Sequence, residues 1–136
     1  MKFFHLADLH LGRKLLGESL IEEQRYILEE IMKNVRVEKP DGIFICGDLY
    51  DKYIPSSEAV ALFDSFLEAL VKENCEVFII SGNHDGASRL EFASGLLKKQ
   101  KVHICGTYKG KIESVERKDE YGKLTVYLLP FLRPDM

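Results

Sequence analysis

Three short clusters carry the residues that could do chemistry: Asp8-Leu9-His10, Gly47-Asp48-Leu49-Tyr50-Asp51 and Gly82-Asn83-His84-Asp85. Their donors are carboxylate oxygens, an amide oxygen and imidazole nitrogens, with no cysteine among them. That set argues against a structural zinc site. It fits Mn²⁺, Mg²⁺, Fe²⁺ or a catalytic Zn²⁺. A carboxylate can bridge two cations, and Asp48, in the central cluster, is the natural bridge. Two cations ~3.5–4 Å apart form a clamp that activates water and neutralises a phosphoryl transition state. His84 directly follows a candidate ligand, Asn83, and could give a proton or a hydrogen bond to the developing charge. Asp51 or Asp85 could fix its tautomer and orientation.

Each cluster follows an apolar run that reads as a strand: residues 2–7, 43–46 and 76–81. Loops after strands are where open α/β sheets hold their ligands. Helices are expected between them. Ser19 and Glu22 match a capping box opening a helix that stops before Lys39-Pro40-Asp41-Gly42. Ser56 is a candidate N-cap for a helix over 57–73. The apolar stripe there is wide enough to suggest a partner helix, which a second subunit could supply. Ser88 and Glu91 match a second capping box, opening a helix over 88–98. A strand at 102–104 follows, then a hairpin of 111–117 and 123–129 joined by a five-residue loop at 118–122. The order β-α-β-α-β-α-β predicts a parallel sheet with right-handed connections.

At 136 residues and 15.6 kDa the chain is one domain or part of one. Its 46% apolar and 30% charged content suits a folded domain with its own core. The net charge of −3 does not mark a nucleic-acid binder. The charge is uneven, however. Residues 1–88 carry 9 basic and 16 acidic side chains, and residues 89–136 carry 10 and 6. An acidic first part fits a cation site, and a basic second part could face phosphate, although solvated helix faces explain many of these charges equally well. Cys46, Cys75 and Cys105 are odd in number and lack metal-type spacing. With no leader-like segment and no apolar run of ~18 residues, the expectation is a cytoplasmic protein with free thiols and no membrane span. His5 and His103 lie within strands and read as structural. Tyr50, Tyr53 and Phe131 read as packing residues.

Any one cluster alone is a weak signal, because a turn can supply it. Three together, each after a strand and separated by helices, resemble the signature of the calcineurin-like metallophosphoesterases, D-x-H, G-D-x-x-D and G-N-H-D/E. Flanking stretches narrow the resemblance to the SbcD-type DNA-repair nucleases. These are His5 to Gly12, Ile21-Glu22-Glu23-Gln24-Arg25, Pro55 to Val60, Arg89-Leu90, Val102 to Gly106, and Leu129 to Pro134. The resemblance covers essentially the whole chain, residues 1–136, read as the N-terminal part of a single nuclease domain.

The resemblance implies an α/β metallophosphoesterase sandwich, β-sheets flanked by helices, that is incomplete here. It implies that Asp8 and His10 hold one metal, Asp48 bridges and Asn83 holds the other. It makes His84 the catalytic histidine, oriented by Asp51. It implies Mn²⁺, two per complete site, with Mg²⁺ or another divalent cation as the alternative. The partners implied are DNA, an SbcC-type coiled-coil ATPase and a second copy of the chain, docked through helices near 57–73 and 88–98. The implied activity is two-metal cleavage of DNA at double-stranded ends and at single strands or hairpins. The family also uses a further His and a later Gly-His-x-His, which this sequence lacks. The expectation is an N-terminal fragment with about half of the ligands and weak or no activity of its own. Arg13, Lys14, Lys52 and Arg89 are the cations nearest the three clusters in sequence. Two rival readings remain. One is a phosphomonoesterase or cyclic-nucleotide phosphodiesterase with the same metals, and the other is a metal-free docking module for an ATPase.

Overall fold

The computed structural model describes residues 1–133. Its centre is a four-stranded parallel sheet of β1 (Phe3–Ala7), β4 (Gly42–Cys46), β5 (Glu76–Ile80) and β6 (Val102–Cys105), in that order. Adjacent strands in the sheet follow one another along the chain as its principal strands. Their carboxyl ends therefore open onto one rim of the sheet.

Alternation along the strands separates two cores. Ile43, Ile45, Val77, Ile79 and Val102 are fully buried on one face, beneath α1 (Ile21–Glu38) and α2 (Ser57–Lys72). Phe44, Phe78 and Cys105 point to the other face, where they meet Val115, Val126 and Leu128 of a hairpin made by β7 (Glu113–Asp119) and β8 (Gly122–Leu128). Helices cover one face of the sheet and a second small sheet covers the other. This is the α/β sandwich expected from the sequence, in partial form. No described helix is long and apolar enough to cross a membrane.

The helix over 57–73 forms nearly as predicted, with Ser56 as its cap. The Ser56 Oγ accepts the Ala59 N–H at 3.2 Å. Much of its wide stripe is absorbed within the chain, because Leu62, Phe63, Phe66 and Leu70 join the core with Leu28, Met32 and Val35 of α1. Helix α1 stops where expected, with Lys39 in the left-handed region and its N–H returned to Val35 O.

Three expectations need correction. Between the first cluster and α1, β2 (Lys14–Leu15) and β3 (Glu18–Ser19) make a miniature antiparallel hairpin. Ser19 belongs to that hairpin, so the N-cap of α1 is Leu20 and no capping box forms. The helix predicted over 88–98 breaks into α3 (Ala87–Leu90) and α4 (Ser94–Leu97), with Ala93 between them at φ 58°. The Glu91 carboxylate, which a capping box would have used, instead accepts the N–H groups of Gly106 and Thr107 and pairs with Lys109. Finally, the loop of the β7–β8 hairpin is only Glu120 and Tyr121, because Asp119 Oδ1 accepts the N–H groups of Tyr121 and Gly122 and tightens the turn.

Candidate metal centre

The three loops meet at the carboxyl rim of the sheet. The pairing of β1 with β4 continues past the strands. Asp8 N–H reaches Gly47 O (3.2 Å), His10 N–H reaches Asp48 O (2.8 Å) and Leu11 N–H reaches Leu49 O (2.9 Å). On the other side, Gly47 N–H reaches Ile80 O at 3.0 Å. These bonds hold an unusual backbone. Asp8, His10 and Asp48 all lie at positive φ, at 55°, 44° and 44°. Each such residue costs about 1–2 kcal/mol relative to ordinary geometry, a cost the surrounding hydrogen bonds must offset. The side chains of Asp8, His10 and Asp48 meet at one point, while Leu9 and Leu49 between and after them pack into the core.

At that point, ligand atoms of Asp8, His10 and Asp48 all lie within 4.8 Å of one another, and so do those of His10, Asp51 and His84. His10 is common to both groups. Its Nε2 is 3.7 Å from Asp48 Oδ2 and its Nδ1 is 3.4 Å from Asp51 Oδ1. The His10 and His84 rings meet edge to face with centroids 5.0 Å apart. Asn83 is exposed one residue before His84. Its loop is tied to Asp48, whose Oδ1 accepts the main-chain N–H of His84 at 3.0 Å.

The residues fit a divalent cation on two grounds. The His10 Nδ1 is buried and has no hydrogen-bond partner among the described residues. Asp8, Asp48 and Asp51 gather at one place, and among the described residues no Lys or Arg forms an ion pair with any of them. Clustered carboxylates and an orphaned imidazole nitrogen leave both negative charge and a lone pair for a cation to satisfy.

His84 itself is exposed, and its Nδ1 lies 2.9 Å from the main-chain carbonyl of Asp51. Asp51 therefore meets His84 through its backbone, while its carboxylate faces His10. With Nδ1–H donated to that carbonyl, Nε2 is the free nitrogen. The same hydrogen bond raises the pKa of His84, aided by the nearby charges of Asp48, Asp51 and Asp85 against the opposing effect of burial.

Asp85, expected from the sequence as an alternative orienter of His84, has other partners. Its buried carboxylate accepts three main-chain N–H groups, from Gly82 (2.8 Å), Tyr50 (2.9 Å) and Leu49 (3.2 Å). It ties the third loop to the second. Gln24 lies outside the three clusters, and sequence reasoning misses it. From α1 it donates to the carbonyls of Leu9 and His10 and accepts the Gly12 N–H at 2.9 Å. The signal for it is a polar side chain between Ile21 and Leu28 on the inward face of a helix. Gly82 completes the fit, since a Cβ there would overlap Asp48 Oδ1 and the Asp48 main-chain nitrogen.

The family model for calcineurin-like phosphoesterases matches residues 1–130. The chain belongs to the calcineurin-like phosphoesterase family. It is also similar to proteins named as the SbcD component of the nuclease SbcCD. Over 132 residues it is 37% identical to the one from Staphylococcus epidermidis and 36% identical to the one from Staphylococcus saprophyticus. Each match takes in 96% of this chain and 34% of the relative. The chain thus spans about a third of the length of these curated relatives. Members of a metallophosphoesterase family use divalent metal ions, and the clustered donors of Asp8, His10 and Asp48 are of the right kind.

Proposed function

We propose that this chain carries the first three metal loops of a DNA phosphodiesterase of the SbcD type, a cytoplasmic nuclease that works with an SbcC-type coiled-coil ATPase. The observation that carries the reading is the convergence of Asp8, His10 and Asp48 donor atoms within 4.8 Å, beside His84. The DNA substrate is supported by the similarity to proteins named as components of a nuclease.

Asp8 and His10 would hold one cation, Asp48 would bridge and Asn83 would hold the second, with Mn²⁺ as the proposed ion. When bound, such a pair supplies an activated water and charge compensation for the phosphoryl oxygens. The protein's own part is positional. Gln24 and the extended pairing of the first two loops keep Asp8, His10 and Asp48 in their curled backbone. Asp85 and Asp48 hold the third loop. The Asp51 carbonyl holds the His84 ring by Nδ1 and leaves Nε2 free, and the protonated form can donate from it to a phosphate oxygen or to the leaving oxygen. The hydrogen bond that raises the His84 pKa favours that protonated form.

The second copy of the chain would dock on the face between α2 and α3–α4. Ile54, Val60 and Phe92 remain exposed along a groove there, with Phe92 82% exposed. That apolar surface supports the dimer proposed from the sequence.

The test is to titrate Mn²⁺ into the chain by calorimetry and to compare cleavage of a DNA duplex, an aryl phosphodiester and an aryl phosphomonoester. Metal binding is expected, with at most weak cleavage of its own, because the chain holds about half of the ligands, and what cleavage there is should favour the diesters. Hydrolysis of the monoester alone would replace the nuclease reading with a phosphatase. Absence of any metal effect on melting temperature would favour a docking module.

A further inference from the structure

We infer that Arg89, seated on the ring of Tyr53, binds a backbone phosphate of the strand delivered to the metal loops. The inference rests on the DNA reading above and adds a residue to it.

The Arg89 guanidinium carbon lies 5.9 Å from the Tyr53 ring centroid, within range of a cation–π contact. Both residues are exposed, with Tyr53 at 53%. Among the described residues Arg89 forms no ion pair with a carboxylate, so its five donors are free for a ligand. A cation without a carboxylate is not unusual on a surface. What sets Arg89 apart is how firmly its base is built. Its main-chain N–H bonds to Gly86 O at 2.8 Å. A Cβ on Gly86 would come within 2.7 Å of Tyr53 O and 3.1 Å of Arg89 Cδ, so the two loops pass with no room between them. The seat is formed before any ligand arrives, which lowers the entropy cost of using it.

Its location suits a phosphate. Arg89 is five residues past His84, and Tyr53 is two residues past Asp51, whose carbonyl holds the His84 ring. Tyr53 also lines a groove that contains Asn83 and Gly82. Tyr53 and Arg89 both border the apolar groove beside α2, so the seat lies where that groove meets the surface of Asn83. A planar guanidinium matches phosphate oxygens with two parallel donors, and a ring beside it restricts how that fork can turn. A mobile lysine would give charge without this orientation.

The experiment is fluorescence anisotropy with a short fluorescein-labelled DNA duplex, in EDTA, over a range of salt concentrations. Wild type is compared with Arg89→Gln and Arg89→Lys, each checked by thermal melting. For Arg89→Gln the slope of log affinity against log salt should become shallower by about 0.9, the share of one phosphate contact. Binding at low salt should be roughly five- to tenfold weaker. Arg89→Lys should keep the slope and bind more weakly than wild type. An unchanged slope for Arg89→Gln, with wild type clearly salt-dependent, would overturn the inference and leave the DNA reading standing. A wild type that binds no duplex would overturn both. Should Arg89→Gln melt early, Arg89→Lys carries the test, because wild-type affinity in that variant would overturn the oriented guanidinium.

Discussion

The main-chain N–H of His84 donates to Asp48 Oδ1 at 3.0 Å, so the second loop's carboxylate also fixes the third loop's backbone. One side chain therefore has two separable jobs. Asp48→Asn keeps an oxygen for the His84 N–H but removes the charge. Asp48→Ala removes both. Both variants should lose Mn²⁺ affinity by roughly tenfold or more. Only the alanine variant should also lose stability, by about 1–2 kcal/mol, because it leaves the N–H without its partner. Calorimetric titration and urea denaturation read the two effects separately. Wild-type Mn²⁺ affinity in Asp48→Asn would remove Asp48 from the ligand set.

Gly82 tests how closely the loops must approach. A methyl group there would overlap Asp48 Oδ1 and the Asp48 nitrogen. Neither is the loose end of a long side chain, so the loops must separate. Gly82→Ala should cost about 1–3 kcal/mol in urea denaturation and weaken metal binding with no ligand removed. Unchanged stability together with unchanged Mn²⁺ affinity would show that the loops can part without consequence.

Asp85 and His84 are neighbours with opposite expected signatures. Asp85 is buried and accepts three main-chain N–H groups, so Asp85→Ala leaves donors unpaired and should destabilise by about 3 kcal/mol or more. His84 is exposed, and His84→Gln should alter stability by no more than about 0.5 kcal/mol. Its effect should appear in hydrolysis of an aryl phosphodiester by the metal-loaded protein. Equal losses of stability in the two variants would contradict this division.

The difference between Asp85 and His84 also marks what can be read from sequence. The three clusters are legible because strand, turn and polar residue are adjacent in the chain, and local rules place them at strand ends. Ser56 is legible as a cap for the same reason. The role of Asp85 is not, because its partners Leu49 and Tyr50 lie 36 and 35 residues away. Nor is it legible that Asp51 meets His84 with a carbonyl rather than a carboxylate, since backbone groups carry no sequence signature. The Ser-x-x-Glu patterns at Ser19 and Ser88 mislead for a related reason. Ser19 is taken into a hairpin, and Glu91 finds better donors at Gly106 and Thr107, after the next strand. Local signals state a preference, and longer-range partners decide it.

Away from the metal loops, Glu76 should make stability fall in acid. Its side chain is buried at the start of β5 and contacts three nitrogens of two side chains from two other strands. The Arg117 Nε donates to Oε2 at 2.8 Å, a second Arg117 nitrogen contacts Oε1, and His103 Nε2 lies 2.7 Å from Oε1. Burial alone would raise the carboxyl pKa, but the bonds from Arg117 and His103 outweigh it and hold the group below its ordinary 4.5. The folded state then binds fewer protons than the unfolded state between the two values, so stability rises with pH there. The contribution is fully present above the unfolded value and disappears as pH falls through the lowered folded value. Arg117 belongs to β7, so what is lost is part of the hold of the hairpin on the sheet. Urea denaturation of wild type and Glu76→Gln between pH 6 and pH 3 checks the sign. Wild type should be the more stable at pH 6, and the gap should narrow towards pH 3. A gap that stays constant across that range would mean that Glu76 titrates alike in both states and that its bonds to Arg117 and His103 do not favour the charged form.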